Sequence, residues 1–224
     1  MVNEVISLFN EGKLLVRAMD TASLTKYDGD WRLDFTSWAN EYEFSKIGLY
    51  SLSTTLILPE QKIPTYKSIG FLINSNKSDI RHVSRSDSLS HGNEMDGDFY
   101  ASYSELKTLD DLIIDIKKNN SHIMNEVNIN MKNDAYVGLF YMKCPSNRVL
   151  SHILMAQNLL EKITGIKYPI FEYNGSTLVY KEFSDDVKNE FLSKMYNDKT
   201  LLSLDIYYDC LGEVCFSPLE QIQK

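Results

Sequence analysis

The chain is poor in the residues that build covalent or metal frameworks. Its three cysteines, Cys144, Cys210 and Cys215, are an odd number without CxxC spacing. That argues against both a disulfide scaffold and a zinc knuckle, and a reducing cytoplasm is the expected setting. There is no Walker loop and no GxGxxG, which removes the usual phosphate cradles. HExxH and the strained GxSxG elbow are also missing, so neither a zincin nor an α/β-hydrolase nucleophile is signalled. No apolar run approaches the roughly 20 residues that cross a bilayer. The longest mixed run, "IGLYSLSTTLIL", is broken by hydroxyls, and Glu4 in "MVNEVISLFNEGK" replaces the positive charge of a signal peptide, so mature, soluble sequence is expected.

What is present suits a folded protein. Hydrophobic residues make up 43% and charged residues 24% of the 224, and a chain of this length buries roughly 70% of its unfolded surface without external staples. The formal charge of −8 disfavours general attraction to nucleic acid or anionic lipid and is compatible with a basic protein partner. The 14 tyrosines and 10 phenylalanines lack interleaved cations, so they read as core and sheet packing rather than base-stacking platforms.

Periodicity predicts strands in runs, punctuated by single helices. Val2, Val5, Ile6 and Phe9 mark one face of a helix that Gly12 can end, and "KLLVRAM" follows as a strand. Tyr50, Leu52, Thr54, Leu56 and Leu58 alternate along a second strand, and "YKSIGFLI", "NSNKS" and "DIRHV" suggest a hairpin with a five-residue loop. Thr108 is a good N-cap for a helix whose inner face is Leu109, Leu112, Ile113 and Ile116, with Asp110 and Asp111 in its first turn. "HIMNEVNIN" suggests a strand, and "AYVGLFYMK", apolar on both faces, a central one. A helix from the Ser146 cap to Gly165 follows, then a hairpin. There Asn174-Gly175 predicts a two-residue type I′ turn that pairs Tyr173 with Ser176 and Phe171 with Leu178, and Pro169 suggests that the first strand lies at an edge. Ser184 caps a third internal helix, and "LLSLDIYYDCLGEVCF" suggests further strands. The fold class is α+β, with a largely antiparallel sheet and about three to four packed helices. Residues 1–224 read as one domain, with a weak seam in 84–104.

That seam, "SRSDSLSHGNEMDGDFYASYS", concentrates the chain's reactive side chains. His82 or His91 could serve Ser84, Ser86, Ser88 or Ser90, with Asp79 or Asp87 as orienter, but sequence proximity is poor support for a triad. His91, Glu94, Asp96 and Asp98 offer metal ligands without the spacing of a calcium loop. Asp98, Glu105 and Lys107 imitate a nuclease's spaced acid and E-x-K, a match expected about once by chance in a chain of this composition. A metal-dependent nuclease or hydrolase with groups converging near residues 79–107 is the alternative reading. His122 and His152 read as structural histidines, and Cys210 and Cys215 as buried small residues. No cofactor and no metal are expected.

At "IPTYKSIGFLINSNKSDIRHVSRSDSLSHGN", residues 63–93, a "GFLIN" strand, a short polar turn, a "DIRHVS" strand and an Asp-Ser-rich exit resemble some immunity proteins of bacterial contact-dependent growth inhibition. The resemblance covers about one seventh of the chain. It implies a non-enzymatic cytoplasmic inhibitor that binds a cognate toxin domain, often a nuclease, and blocks its active site. The partner-binding residues it suggests are Asp87, Glu94, Asp96 and Asp98 as the acidic face and Phe99 and Tyr100 as anchors. The hairpin at 168–181 offers another surface for the same task.

Overall fold

A computed structural model describes residues 1–19, 24–27, 30–33, 52–63, 69–85, 106–119, 125–131, 135–143 and 147–190. In chain order these form α1 (Val2–Glu11), β1 (Leu14–Met19), β2 (Leu24–Tyr27), β3 (Asp30–Leu33), β4 (Leu52–Leu56), β5 (Ile69–Asn74), a 3₁₀ turn (Ser75–Lys77) and β6 (Ser78–Ser84). They continue with α2 (Leu109–Asn119), β7 (Glu126–Met131), β8 (Tyr136–Met142), α3 (Asn147–Thr164), β9 (Ile170–Tyr173), β10 (Leu178–Lys181) and a helical turn, α4, at 185–190. The α+β class holds. Among the described residues no helix is long and apolar enough to cross a membrane.

Local chemistry sets the helix ends. Gly12 stops α1 in the left-handed region at φ 70°, its N–H turned back to the carbonyls of Leu8 and Phe9, a geometry that costs a glycine little. Thr108 caps α2 as expected. Its hydroxyl accepts from the Asp111 N–H at 3.1 Å, while the Asp111 carboxylate accepts from the Thr108 N–H at 3.0 Å and its hydroxyl at 2.8 Å, a reciprocal capping box. Those hydrogen bonds hold the Asp111 carboxyl below its ordinary pKa. Leu112 and Ile116 are buried, with Leu109 and Ile113 packed beside them.

Eight strands join in the order β10-β9-β8-β5-β1-β4-β7-β6, antiparallel throughout except for β8 and β9. The expected β5–β6 hairpin does not form. β5 lies between β1 and β8, buried along its whole length, and β6 pairs with β7 at the far edge. Alternation in "IGFLI" identified the strand but carries no information about its neighbours. Four strand spacings in a flat sheet come to about 19 Å, yet the chain from Asn74 to Ser78 reaches at most about 14 Å. The sheet must therefore curl, helped by register shifts after Leu72 and after Ile80. Its inner face carries Leu52, Thr54, Leu56, Val127 and Ile129, all buried, while Ser53 and Thr55 on the other face are only partly covered. α1 and α3 pack on β8 and β5, and α2 on β6. β2 and β3 make a separate hairpin, with Tyr27 paired to Asp30. In sequence, Asp28 and Gly29 separate that pair, a dipeptide that favours tight hairpins.

The β9–β10 hairpin exists with a different register. Tyr173 pairs with Leu178 and Phe171 with Tyr180, leaving four loop residues rather than two. The Asn174 N–H donates to the Thr177 carbonyl at 3.2 Å, while its carboxamide oxygen accepts from the Thr177 N–H at 2.7 Å and the Ser176 N–H at 3.0 Å in place of a backbone acceptor. The loop is also docked. Gly175 O accepts from Ile63 N–H at 2.9 Å, and Ser176 O from Glu60 N–H at 3.0 Å. The buried Tyr173 hydroxyl lies 2.9 Å from Ile63 O and 2.7 Å from Gly175 O. Nor is β9 at the edge, since β10 covers its outer side. Pro169 precedes the strand, where its missing N–H is harmless and its carbonyl accepts from Leu139 at 2.9 Å.

Burial pushes the Tyr173 phenol upward, and burial with the nearby Glu172 carboxylate pushes Tyr141 up to about 12. The folded state thus holds both protons more tightly than the unfolded chain. The stabilisation is complete below the ordinary phenol value of 10 and fades as pH climbs towards 12. Urea midpoints should fall across that window, with tyrosinate absorbance rising together with unfolding; midpoints independent of pH would contradict the assignment.

Buried Asn125 joins two segments far apart in sequence. Its carboxamide accepts from the Leu56 N–H at 2.8 Å and donates to the Leu56 carbonyl at 3.0 Å. Asn125→Ala strands both backbone groups in the interior and should cost about 3 kcal/mol in chemical denaturation. Asn125→Asp should cost a similar amount, because a carboxylate cannot donate to the carbonyl.

Candidate functional site

The six residues expected to meet a partner, Asp87, Glu94, Asp96, Asp98, Phe99 and Tyr100, lie outside the described residues, as do His91 and Glu105. The structure does describe the two ends between which they run. Ser84 closes β6, and the segment returns at Leu106, where Val83 and Leu106 form an antiparallel bridge. Just outside the bridge, Arg85 makes an ion pair at 3.0 Å with Asp115 of α2, whose side chain is 11% exposed. A packed carboxylate matched to a guanidinium fixes geometry better than an open surface pair. Val83 and Leu106, on either side of residues 86–105, are therefore neighbours at the β6 edge, and α2 begins shortly after Leu106. The Lys107 N–H donates to Asp111 at 3.3 Å, so that residue belongs to the helix approach.

Charge is concentrated in the same stretch. Residues 86–105 contain Asp87, Glu94, Asp96, Asp98 and Glu105 and no lysine or arginine. Five acidic residues thus fall within twenty positions without a compensating cation, a local excess that favours a basic partner over a nucleic acid.

The β6–β7 register adds a group the sequence did not signal. Ser84 stands opposite Glu126 and His82 opposite Asn128, so the four share one face, with paired Cβ atoms about 5 Å apart. Ser84, Glu126 and Asn128 are buried and His82 partly so. The pairing of 82 with 128 joins segments more than forty residues apart, which is why no local pattern could reveal it. Asp79, the orienter considered for His82, pairs with Asn130 nearer the start of the strand. Among the described residues no group of three or more His, Cys, Asp or Glu is placed to hold a metal ion. His152 is buried on α3, as expected of a structural histidine.

No protein-family model matches the chain, and no curated protein matches it. The geometry of the β6 edge therefore carries the functional argument. Val83–Leu106 and Arg85–Asp115 tie together the described residues on either side of a stretch that is acidic in sequence. At the opposite margin, β10 ends the sheet and exposes Val179 and Tyr180.

Proposed function

We propose that this chain is a cytoplasmic immunity protein that binds a cognate toxin domain, a basic nuclease, and covers its active site. The observation that carries the reading is that Val83–Leu106 and Arg85–Asp115 hold the described residues flanking the acidic stretch 86–105 at the β6 edge. The resemblance at residues 63–93 supports the same class. In this reading the carboxylates steer association with the toxin's substrate groove, and Phe99 and Tyr100 supply the buried contacts that slow dissociation. Inhibition requires no bond to break in this chain. The test is to co-express the chain with the C-terminal domain encoded immediately upstream and score survival. Rescue with a 1:1 complex is expected, and failure to bind or rescue would remove the reading.

The face bearing His82, Ser84, Glu126 and Asn128 favours a second reading, a hydrolase whose groups meet across β6 and β7. It differs in one measurable respect. A hydrolase loses turnover in His82→Ala and Glu126→Gln while keeping its fold, whereas an inhibitor keeps its rescue activity in the same variants.

A further inference from the structure

The two margins of the sheet end differently. β6 carries exposed Asp79 and Arg81, shifts register after Ile80 and is bridged by Leu106 at Val83. Charges and bulges of that kind keep an edge from taking on a further strand. β10 has neither device along its apolar stretch. Its pairing with β9 runs without a shift from Leu178 to Lys181, Val179 is 46% and Tyr180 41% exposed, and among the described residues no strand lies beyond it.

The backbone phase of β10 is fixed from both sides of β9. The Leu139 N–H donates to the Pro169 carbonyl and the Lys143 N–H to the Tyr173 carbonyl, so Pro169, Phe171 and Tyr173 turn their backbone groups towards β8. Ile170 and Glu172 then turn theirs towards β10, where they meet Lys181 and Val179. The Asn174 N–H bond to the Thr177 carbonyl continues the same alternation. It follows that Leu178, Tyr180 and Glu182 direct their N–H and C=O groups outward. The series stops at the turn, because the Ser176 carbonyl already accepts from the Glu60 N–H.

We propose that β10 pairs antiparallel with β10 of a second copy of this chain about a twofold axis at Tyr180, joining two sheets into one. An antiparallel ladder matches outward-directed residues with each other. Centred on Tyr180, it sets Tyr180 against itself and Leu178 against Glu182 of the second copy, for about six hydrogen bonds. On one face the two Tyr180 rings meet across the axis and extend the Phe171–Tyr180 edge contact at 5.8 Å. On the other face Val179 stands opposite Lys181 of the second copy. Glu172, the cross-strand neighbour of Val179 and 3.6 Å from Lys181 of its own chain, comes within reach of that second ammonium. Charges of opposite sign therefore alternate across the junction, and the net −8 of the chain is not concentrated there. A strand from another protein would have to supply a cation at this position, whereas a second copy brings its own Lys181. The pairing is short, so the dimer is weak and concentration-dependent. β10 lies at the opposite end of the strand order from β6, and the inference does not rest on the immunity reading.

Sedimentation velocity of the full chain from about 1 to 300 μM should show a reversible shift from the mass of one chain to twice that mass. Val179→Lys sets like charges opposite each other at the junction and should weaken association about tenfold or more. Adding Lys181→Glu to that variant should restore association to within about threefold of wild type, because position 181 of one copy faces position 179 of the other. A merely apolar contact gains nothing from that exchange. Val179→Thr, neutral and β-branched, should stay near wild type. Urea midpoints confirm that each variant is folded. Amide exchange reads the register. With rising concentration the Leu178 and Tyr180 amides should gain protection, while those of Val179 and Lys181, already bonded to β9, should not change. A chain that stays monomeric over the whole range, a dimer insensitive to Val179→Lys, or one not restored by the added Lys181→Glu would overturn the proposal.

Discussion

Gly70→Ala should prevent the chain from folding or destabilise it by more than about 3 kcal/mol. Gly70 sits in β5 between Ala18 of β1 and Phe140 of β8. A Cβ there would lie 1.9 Å from the Arg17 carbonyl oxygen and 2.9 Å from the Phe140 ring. The nearest obstacle is backbone in a paired strand, so relief requires β1 and β5 to separate at the middle of the sheet. Gly138 provides the internal comparison. Its Cβ would meet Pro169 O at 3.1 Å and the Leu72 side chain at 3.3 Å, contacts that a few tenths of an ångström relieve. Gly138→Ala should cost only about 1 to 2 kcal/mol. Urea denaturation of the two variants tests the ranking, and equal losses would contradict the packing at the β1–β5–β8 centre.

The largest functional effect is expected on association rate. Replacing Asp87, Glu94, Asp96 and Asp98 with Asn or Gln removes four of the five charges in residues 86–105 while preserving side-chain shape. If these carboxylates steer a basic partner, the association rate constant should fall about 10- to 100-fold at low ionic strength, with a much flatter salt dependence and little change in dissociation. Stability should change little, because Asn and Gln keep the shape of the side chains they replace and Arg85–Asp115 and the Val83–Leu106 bridge are left intact. Stopped-flow association across a salt series gives the answer. A rate and salt slope equal to wild type would remove the steering role.

Features that depend on near neighbours were readable from sequence. The Thr108 cap, the α1 stop at Gly12, the alternation of β4 and the two-sided burial of β8 all follow from residues within a few positions. What failed was strand partnership. "GFLIN" and "DIRHV" are adjacent in sequence and four strands apart in the sheet, because a curled sheet can bring its far margin back to a short connection. The Asn174 turn failed for a subtler reason. The dipeptide permits a type I′ turn, but the docked segment at Glu60 and Ile63 and the Asn174 side chain favour a wider loop. The acidic residues were legible in sequence as a cluster, whereas the ion pair beside them was not. Arg85 and Asp115 are thirty positions apart, and neither stands out in composition. Glu126, opposite Ser84 across β6 and β7, was hidden in the same way.

In the proposed function, the segment between Ser84 and Leu106 meets the toxin domain. Amide hydrogen exchange of the chain, alone and in complex with that domain, tests it most directly. Protection gained on binding should concentrate in residues 84–106, with β9 and β10 unchanged. Protection confined to residues 168–181, with none in 84–106, would contradict the account and place the interface at the other margin of the sheet.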